Sequence, residues 1–334
     1  MNYDYLIFIG RFEPFHLGHE SVVSKALTLS QKVIILVGSA YQPRTLRNPW
    51  DYSEREAMIR LGFSEQENKR ILIFPLMDYT YNESLWIRSV QQIVNGIAYN
   101  NIGSNAKIGI IGHQKDESSY YLSQFPQWGR VDVANFEGLN STQIRQEYFN
   151  TGAIEGVSPN IAQELEKFKA TSAYGDVAHE QRFVAEYKKG WETAPYAPTF
   201  VTVDAVVIQS GHILLIRRKA EPGRGLMALP GGFLDQSERL QDAVIRELRE
   251  ETRIKVPAPV LAGSITKNEV FDDPYRSARG RTITHAYLIE LKGDKLPKVK
   301  GGDDASHAFW MPFGDIKPEQ MFEDHFHIIQ AMVG

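Results

Sequence analysis

Two histidines in a glycine- and proline-containing string are the first residues whose types and spacing could do chemistry. Residues 10–19 read Gly-Arg-Phe-Glu-Pro-Phe-His-Leu-Gly-His, after an apolar run at residues 5–9 and before a helical stretch at residues 20–29. This pattern predicts a turn between a first strand and a helix, where open α/β sheets bind ligands. The N-terminus of such a helix favours phosphate. His16 and His19 would add donors for an anion that gains charge during a reaction.

Three glutamates in the second half are the other group with a clear chemical use. Glu247, Glu250 and Glu251 are spaced i, i+3 and i+4, so on a helix their carboxylates share one face. These like charges repel one another unless cations bind, and oxygen-only ligands suit Mg²⁺ or Mn²⁺. The alternative is a solvated acidic face, which is common on surface helices. Glu238 and Arg246, in register upstream, favour the metal site.

Further polar and aromatic residues follow the strands predicted at residues 32–38, 70–75 and 107–112. Exposed aromatic rings beside an arginine suit a planar base and its phosphate. The residues of this kind are Arg47, Trp50, Asp78 and Trp86, with Lys115 after the last strand as a polyphosphate contact. Trp86 fits a core position equally well, and the sequence leaves both interpretations open.

The first half resembles the nucleotidylyltransferase superfamily in two strings. Residues 10–19 resemble its HxGH signature. Residues 140–145, which predict a helix capped by Ser141 or Thr142, resemble its Ser-Ser-Thr-x-x-Arg motif with Asn140 in place of the first Ser. The alternative for this second string is a helix cap alone. Together with the loop residues, the strings resemble nicotinamide-mononucleotide adenylyltransferases.

This resemblance implies adenylyl transfer from ATP to nicotinamide mononucleotide (NMN), with His16, His19 and Arg145 as catalytic residues. The residues that it implies for ATP binding are Gly10, Arg11, Phe12, Gly112, Lys115, Ser141, Thr142 and Arg145. The residues that it implies around the nicotinamide nucleotide are Arg47, Trp50, Asp78 and Trp86, with Trp86 stacking on the ring.

Residues 229–254 resemble the Nudix box, the signature of hydrolases that split a nucleoside diphosphate linked to another group. The stretch contains Leu-Pro-Gly-Gly, Glu238 and an Arg-Glu-Leu-Arg-Glu-Glu run. Arg253 stands where the family usually has a glycine, which weakens the match but removes no ligand. Downstream residues resemble Nudix domains that act on ADP-ribose, which implies that Arg279 and Arg281 contact its phosphates. The implied reaction is Mg²⁺-dependent hydrolysis of ADP-ribose to AMP and ribose 5-phosphate.

Two α/β domains must position these motifs, since 334 residues suit two domains of ~150 residues each. Aliphatic runs alternating with helices predict a Rossmann-like, doubly wound parallel sheet over residues 1–152, the nucleotidylyltransferase fold. Two helical stretches predict a connector over residues 153–199, which ends in a proline-rich break at residues 195–198. Strand patterns with a hairpin at residues 210–211, together with the Nudix resemblance, predict an α/β/α fold with a mixed sheet over residues 200–334.

Composition excludes several other classes of protein. The net charge is −4 and evenly spread, so there is no electrostatic footprint for nucleic acid. The absence of cysteine excludes disulfides, thiolate metal sites and cysteine nucleophiles. No Gly-x-x-x-x-Gly-Lys-Ser/Thr string is present, which disfavours a P-loop kinase or ATPase. No apolar run approaches the ~20 residues that cross a bilayer, so we expect a cytoplasmic protein without a membrane partner.

The segment Glu323-Asp-His-Phe-His327 is interpreted as a solvated helix face rather than a metal cluster.

Two alternatives stay open at the level of the sequence. The first is an adenylyl- or cytidylyltransferase with another acceptor, such as phosphopantetheine or flavin mononucleotide. Trp50, Trp86 and the ADP-ribose-like second half argue against it. The second is a sensor whose Nudix domain binds ADP-ribose or NAD without hydrolysis, and the intact glutamates disfavour it. We expect ATP, NMN and ADP-ribose as partners and Mg²⁺ or Mn²⁺ at both sites, and the sequence is compatible with a homo-oligomer.

Overall fold

The computed structural model divides into two compact units, residues 1–178 and residues 179–334. The residues that it describes are 1–103, 105–112, 122–134, 136, 138–302 and 305–334. Within these ranges, no helix has both the length and the apolar character required to cross a bilayer. The helical connector expected at residues 153–199 is shared between the two units, because the helix at Ser172–Lys189 crosses the division.

The first unit is built on five parallel strands in the described ranges. Their bounds are β1 Tyr3–Gly10, β2 Ser30–Val37, β3 Ile71–Pro75, β4 Ile108–Gly112 and β5 Gly129–Asp132. The strands lie in the order β3-β2-β1-β4-β5. Successive residues of β1 and β2 alternate between two apolar clusters, one on each face of the sheet. The predicted doubly wound parallel sheet is therefore confirmed.

Helices connect these strands and supply the apolar side chains that cover them. Their bounds are α1 Leu17–Leu29, α2 Tyr52–Leu61, α3 Glu65–Asn68, α4 Glu83–Ile102, α5 Ser141–Thr151, α6 Pro159–Lys169 and α7 Ser172–Lys189. Ile161 and Leu165 of α6 lie in the same apolar cluster as Val33 of β2, so α6 belongs to this core. The strand order reverses direction between β1 and β4, and the carboxyl ends of those strands are where such sheets bind ligands.

The second unit is built on a mixed sheet, with seven strands in the described ranges. Their bounds are β6 Thr199–Gln209, β7 His212–Arg218, β8 Met227–Ala228, β9 Gly231–Phe233, β10 Ile265–Phe271, β11 Arg281–Glu290 and β12 Ala305–Pro312. The order is β10-β11-β6-β7-β12, with β8 on β7 and β9 on β6. Only the β6–β11 pair among them is parallel. The predicted mixed sheet is confirmed, and so is the hairpin at residues 210–211.

Three helices pack on this sheet, and the first of them carries the glutamates. Their bounds are α8 Leu240–Thr252, α9 Ala258–Gly263 and α10 His325–Val333. The apolar face of α8, including Ala243 and Leu248, packs against Val203 and Val207 of β6. Helix α10 packs on β10 and β11. Arg253 ends α8 in the left-handed conformation, at φ 45° and ψ 34°, which glycine adopts without steric cost.

Candidate active sites

His16 and His19 form a reciprocal cap at the N-terminus of α1. The Nδ1 atom of His16 accepts a hydrogen bond from the Gly18 N–H at 3.1 Å, and Nδ1 of His19 accepts one from the His16 N–H at 3.3 Å. The two imidazole rings are stacked, with their centroids 3.7 Å apart. Because each Nδ1 atom accepts from the backbone, a neutral ring carries its proton on Nε2. The cap therefore makes both rings Nε2–H donors.

His19 is a neutral donor near pH 7. Burial, and then the neighbouring His16, lower the pKa of His19 well below its ordinary value of 6.5. The His19 ring packs against Phe15 and Phe12, with centroids at 5.5 and 5.0 Å. This apolar contact explains the direction of the shift, because desolvation disfavours the imidazolium ion. The site thus offers a hydrogen bond without adding a fixed charge at this position.

Gly10 and Gly18 are required by the turn itself. A Cβ atom on Gly10 would lie 2.8 Å from the Phe12 ring, and one on Gly18 would lie 2.9 Å from the His16 ring. Phe12 has a φ of 57°, and its side chain is buried in the core. The Phe12 side chain, which is expected to contact ATP, therefore packs in the core. The ATP contacts expected for Gly10 and Phe12 stay predictions for the backbone.

Three arginines lie near this turn, and the charge of a neighbouring arginine lowers the pKa of two of them. Burial and then the charge of Arg47 lower the pKa of Arg11. Burial and then the charge of Arg11 lower the pKa of Arg145 to about 10. The Nη1 atom of Arg11 is buried and has no hydrogen-bond partner in the part of the chain that is described. Such a concentration of positive charge suits a ligand with several negative charges.

Arg145 also has a structural role that the sequence did not indicate. Its Nη1 atom donates to the Glu13 carbonyl oxygen at 2.6 Å, and its Nε atom donates to the Leu46 carbonyl oxygen at 3.0 Å. The side chain is buried, so these bonds tie α5 to the turn after β1 and to the loop after β2. The catalytic role of Arg145 stays a prediction, and part of its guanidinium already serves the fold.

Helix α5 is capped by Asn140, so the expectation that Ser141 or Thr142 is the cap is wrong. The Asn140 side chain accepts a hydrogen bond from the Gln143 N–H at 2.9 Å. Asn140 is therefore the N-cap residue, because its side-chain oxygen reaches the amide of the third helical residue. Ser141 and Thr142 consequently lie in the first turn, where backbone N–H groups lack partners within the helix. Their expected contact with phosphate stays a prediction.

Glu13 and Arg55 form a buried pair that the sequence did not single out. Arg55 Nη1 lies 3.2 Å from Glu13 Oε1. Arg55 also donates to the carbonyl oxygens of Arg11, Gly38 and Ser39 at 2.8, 2.7 and 3.0 Å, which joins the ends of β1 and β2. Burial raises the pKa of Glu13 to about 8, although Arg55 opposes this effect. An acidic residue inside the motif string was a visible signal, whereas nothing local marks Arg55.

Trp50 is a core residue, so the expectation that its ring is exposed is wrong, while its place beside the nucleotide stays a prediction. Its side chain is 1% exposed, and its ring lies 5.8 Å from Tyr148 of α5 and 5.7 Å from Phe168 of α6, between centroids. These two helices enclose the indole. The sequence places Trp50 beside an arginine in a loop, but it does not show that distant helices pack over this ring.

The other residues expected around the nicotinamide nucleotide lie nearer the surface. Trp86 is half-buried, with its ring 6.2 Å from that of Phe125, between centroids. Asp78 accepts hydrogen bonds from the hydroxyl and N–H of Ser39, at 2.6 and 3.1 Å, and so holds the loop after β2. Arg47 is exposed, and Gly112 ends β4, whereas Lys115 lies outside the described residues. Their contacts with nucleotides stay predictions.

In the second unit, the acidic face of α8 is organised around Arg246. Its guanidinium lies 2.6 Å from Glu238, 2.8 Å from Glu247 and 3.1 Å from Glu250. The hydrogen bond with Glu238 is the main cause of a raised pKa for Arg246. A cation of the chain itself therefore partly neutralises two of the three predicted metal ligands.

Glu251 is bound to strand β9 instead. Its Oε2 atom accepts a hydrogen bond from the Gly231 N–H at 2.9 Å. Burial is the main cause that raises the pKa of Glu251 to about 8; the Gly231 N–H opposes this rise and the charge of Glu247 adds to it. A Cβ atom on Gly232 would lie 2.5 Å from Glu247 Oε1, so this glycine lets β9 pass close to Glu247. A Cβ atom on Gly231 would instead clash with the Val203 carbonyl oxygen of β6.

The donor atoms fit a divalent cation, although they are not gathered into one cluster. Across the described ranges, no group of three or more His, Cys, Asp or Glu side chains is arranged to hold a metal ion. Arg246 binds Glu247 and Glu250, while the Gly231 N–H binds Glu251. All the donors are oxygens, and burial and then a neighbouring carboxylate disfavour ionisation of Glu247 and Glu251. A hard cation bound by these carboxylates would offset the repulsion between their negative charges. The assignment of Glu247, Glu250 and Glu251 as metal ligands stays a prediction.

The two arginines expected to contact ADP-ribose have different surroundings. The Arg279 guanidinium lies 5.3 Å from the ring centroid of Phe233, at the end of β9. Arg281 donates to the Asp272 carbonyl oxygen and lies 3.7 Å from the Asp272 carboxylate. Arg279 is thus beside the strand that contacts the glutamates, whereas Arg281 is bound to its own loop. Their contacts with phosphate stay predictions.

The interpretation of residues 323–327 as a solvated face is wrong. Asp324 forms a buried, two-bond ion pair with Arg276, at 2.9 and 3.0 Å. His325 accepts a hydrogen bond at Nδ1 from the Leu229 N–H at 2.9 Å. Burial lowers the pKa of His325 to about 3. The polar pattern was visible in the sequence, but its partners are distant along the chain.

Two family models match the chain, one in each unit. The Cytidylyltransferase-like model matches residues 7–146, and the NUDIX domain model matches residues 198–332. The first match contains the histidine cap, and the second contains the glutamates of α8.

Known proteins match each half and also the whole chain. A nicotinamide/nicotinic acid mononucleotide adenylyltransferase of Acinetobacter baylyi is 39% identical over 182 residues, 54% of this chain and 94% of that protein. An ADP-ribose pyrophosphatase of Methanocaldococcus jannaschii is 36% identical over 135 residues, 40% of this chain and 73% of that protein. The crystal structure of a bifunctional NMN adenylyltransferase/ADP ribose pyrophosphatase from Francisella tularensis, complexed with AMP and Mn ion, has a TM-score of 0.92 and 39% identity. The match covers 99% of this chain and 98% of the Francisella chain. Because this similarity extends through nearly all of both chains, the present chain belongs to the family of bifunctional NMN adenylyltransferases/ADP-ribose pyrophosphatases.

Proposed function

We propose that this chain catalyses two reactions of NAD metabolism, one in each unit. The first unit transfers an adenylyl group from ATP to NMN and gives NAD and pyrophosphate. The second unit hydrolyses ADP-ribose to AMP and ribose 5-phosphate. Family membership supports both reactions, which respectively form and break a diphosphate linkage.

The histidine cap is the observation that carries the proposal for adenylyl transfer. A phosphate oxygen of NMN attacks the α-phosphorus of ATP in line, and the bond from that phosphorus to the leaving pyrophosphate breaks. Because both Nδ1 atoms accept from the backbone, the Nε2–H groups of His16 and His19 would donate to phosphate oxygens at the N-terminus of α1. No covalent intermediate is needed, since positioning and charge stabilisation supply the catalysis.

The arginines would hold the triphosphate against this cap. Arg11, Arg47 and Arg145 concentrate positive charge at one place, and Arg11 Nη1 lacks a hydrogen-bond partner in the described chain. Charge-assisted hydrogen bonds to phosphate are stronger than neutral ones. Trp86 would stack on the nicotinamide ring, and a divalent cation, for which we propose Mg²⁺, would accompany the triphosphate.

Glu251, held against β9 by the Gly231 N–H, carries the proposal for hydrolysis. Glu247, Glu250 and Glu251 would hold a divalent cation, for which we propose Mg²⁺ with Mn²⁺ as a substitute. The Mn ion in the Francisella structure supports a divalent metal. When bound, the cation activates water and offsets charge on the diphosphate. Arg246 orients two of these carboxylates, and Arg279, beside Phe233, would contact the diphosphate.

Product analysis of the purified full-length chain tests both reactions. With ATP, NMN and Mg²⁺, we expect NAD and pyrophosphate in equal amounts. With ADP-ribose and Mg²⁺, we expect AMP and ribose 5-phosphate. Faster turnover with flavin mononucleotide or phosphopantetheine would assign another acceptor to the first unit. Tight binding of ADP-ribose without hydrolysis would assign a sensing role to the second.

A further inference from the structure

The segment before α10 continues the hydrogen-bonded edge of β8. The Phe322 N–H donates to the Met227 carbonyl oxygen at 2.7 Å, and Met321 and Met227 form a parallel bridge. Two residues further along the strand, the segment has already turned into α10. There the Leu229 N–H donates to the Nδ1 atom of His325 at 2.9 Å. An imidazole thus takes the place that a backbone carbonyl would have in the ladder.

This hydrogen bond is inaccessible to solvent. Leu229 is 1% exposed and His325 is 6% exposed, so water does not replace the imidazole as the acceptor. A buried N–H group without an acceptor is strongly unfavourable. Because the Leu229 N–H donates to Nδ1, the neutral ring carries its proton on Nε2, which lies 3.9 Å from Asp204 Oδ1. Nδ1 is therefore available as the acceptor throughout the neutral pH range.

The amide that His325 accepts from lies two residues before the amide that binds Glu251. The Gly231 N–H donates to Glu251 Oε2 at 2.9 Å. Between them, the Pro230 carbonyl oxygen accepts from the Ala205 N–H of β6 at 2.8 Å. Residues 229–231 are thus held on one side by β6 and on the other by His325. A shift of this strip moves the N–H that holds one oxygen of the Glu251 carboxylate.

We propose that His325 is a positioning residue for the hydrolytic site: through Leu229 and Gly231, it fixes the Glu251 carboxylate that would hold the divalent cation. The inference rests on the hydrolysis proposed above for this unit. It extends the metal site from α8 to the N-terminus of α10. Removal of partners that orient metal ligands commonly lowers metal affinity or activity by roughly 10- to 100-fold.

Two substitutions of His325 separate the acceptor from the bulk of the side chain. His325→Leu removes the acceptor, whereas His325→Asn puts an amide oxygen at the position of Nδ1. We expect His325→Leu to weaken Mn²⁺ binding to the full chain by roughly 10-fold, measured by electron paramagnetic resonance without nucleotide. The rate of ADP-ribose hydrolysis should fall at low Mn²⁺ and recover at high Mn²⁺. His325→Asn should stay within about threefold of the wild type. The Mn²⁺ signal that is absent from the Glu251→Gln variant is assigned to this site.

His327→Leu is the matched control, because His327 is a second buried histidine of α10, with Nδ1 3.4 Å from Gln330 Oε1. We expect it to lower the midpoint of thermal unfolding without changing Mn²⁺ affinity. If His325→Leu does not fold, His325→Phe, which keeps a ring but has no acceptor, replaces it. Wild-type Mn²⁺ affinity in the acceptor-deficient variant, or equal weakening in His325→Asn or His327→Leu, would overturn the inference. A wild type that binds Mn²⁺ without hydrolysing ADP-ribose would instead refute the proposed hydrolysis.

Discussion

At the residue scale, two tryptophans expected around the same nucleotide differ in burial. Trp50 is enclosed by α5 and α6, while Trp86 is half-buried at the start of α4. Stacking on a base needs an accessible ring face. We therefore propose stacking on the nicotinamide ring for Trp86 and not for Trp50.

We expect Trp86→Ala to raise the KM for NMN much more than the KM for ATP. Stacking on one base is worth ~1–3 kcal/mol by alanine substitution in nucleic-acid complexes, the nearest scale. Trp50→Ala should instead lower the free energy of unfolding by about 3–5 kcal/mol and leave the ratio of the two KM values unchanged. Steady-state kinetics and urea unfolding of both variants measure these effects. An equal rise in both KM values for Trp86→Ala would make Trp86 a core residue as well.

Glu13 should make the stability of the first unit depend on pH. Burial raises its pKa from 4.5 to about 8, so the folded state holds a proton that the unfolded state has released. The stabilisation by the protonated carboxyl is complete below pH 4.5 and is lost as the pH rises through about 8. Glu13→Gln cannot ionise and leaves Arg55 its three carbonyl acceptors. The variant should therefore lose less stability than the wild type over this range.

Thermal unfolding of both proteins across this pH range measures the effect. The midpoint of Glu13→Gln minus that of the wild type should increase with pH. Parallel curves would mean that Glu13 stays ionised in its pair with Arg55 throughout.

At the element scale, strands were predictable and helix ends were not. Apolar runs and turn residues predicted β1 to β4 and the hairpin of β6 and β7, because those patterns are local in sequence. The N-cap of α5 is Asn140 rather than Ser141 or Thr142, because the capping residue is the one whose side chain reaches the Gln143 amide. Spacing predicted the shared face of the glutamates on α8. It did not predict that Arg246 would bind two of them, because that depends on rotamers.

Arg253→Gly should stabilise the end of α8. The left-handed conformation costs a non-glycine residue ~1–2 kcal/mol, and the greater flexibility of glycine in the unfolded state offsets part of this gain. We expect a net increase of about 1 kcal/mol in the free energy of unfolding of the second unit. Urea unfolding measures it, and Arg253→Ala, which keeps a Cβ atom, should show no gain. A less stable glycine variant would mean that the Arg253 side chain contributes more than its backbone costs.

At the scale of the whole molecule, the second unit begins earlier than its strand pattern indicates. Glu180 of α7 accepts a hydrogen bond from the Gly223 N–H at 3.0 Å. Trp191 packs edge-on against Phe200 of β6, at 5.1 Å between ring centroids. The proline-rich break at residues 195–198 therefore lies inside this unit. The helical pattern of α7 in the sequence does not indicate which of the two sheets its residues contact.

A fragment of residues 172–334 should consequently unfold at a higher temperature than one of residues 200–334. The longer fragment keeps the partly buried hydrogen bond of Glu180 and the aromatic contacts of Trp191. Trp191→Ala in the longer fragment should remove part of the difference. Equal midpoints for the two fragments would show that α7 adds nothing to the stability of this unit and would favour a boundary near residue 200.

The central claim is that one chain carries two sites with separate chemistry, and both activities measured in the same two variants test it most directly. Loss of one transition-state donor costs roughly 10²–10³ in kcat, so His19→Ala should lose NAD synthesis by that factor and hydrolyse ADP-ribose near the wild-type rate. Glu251→Gln keeps the shape of the side chain but removes an anionic oxygen that Mg²⁺ favours. It should nearly abolish hydrolysis and leave NAD synthesis within about twofold. If either substitution lowers both activities in a protein that is still folded, the sites are coupled and the account is wrong.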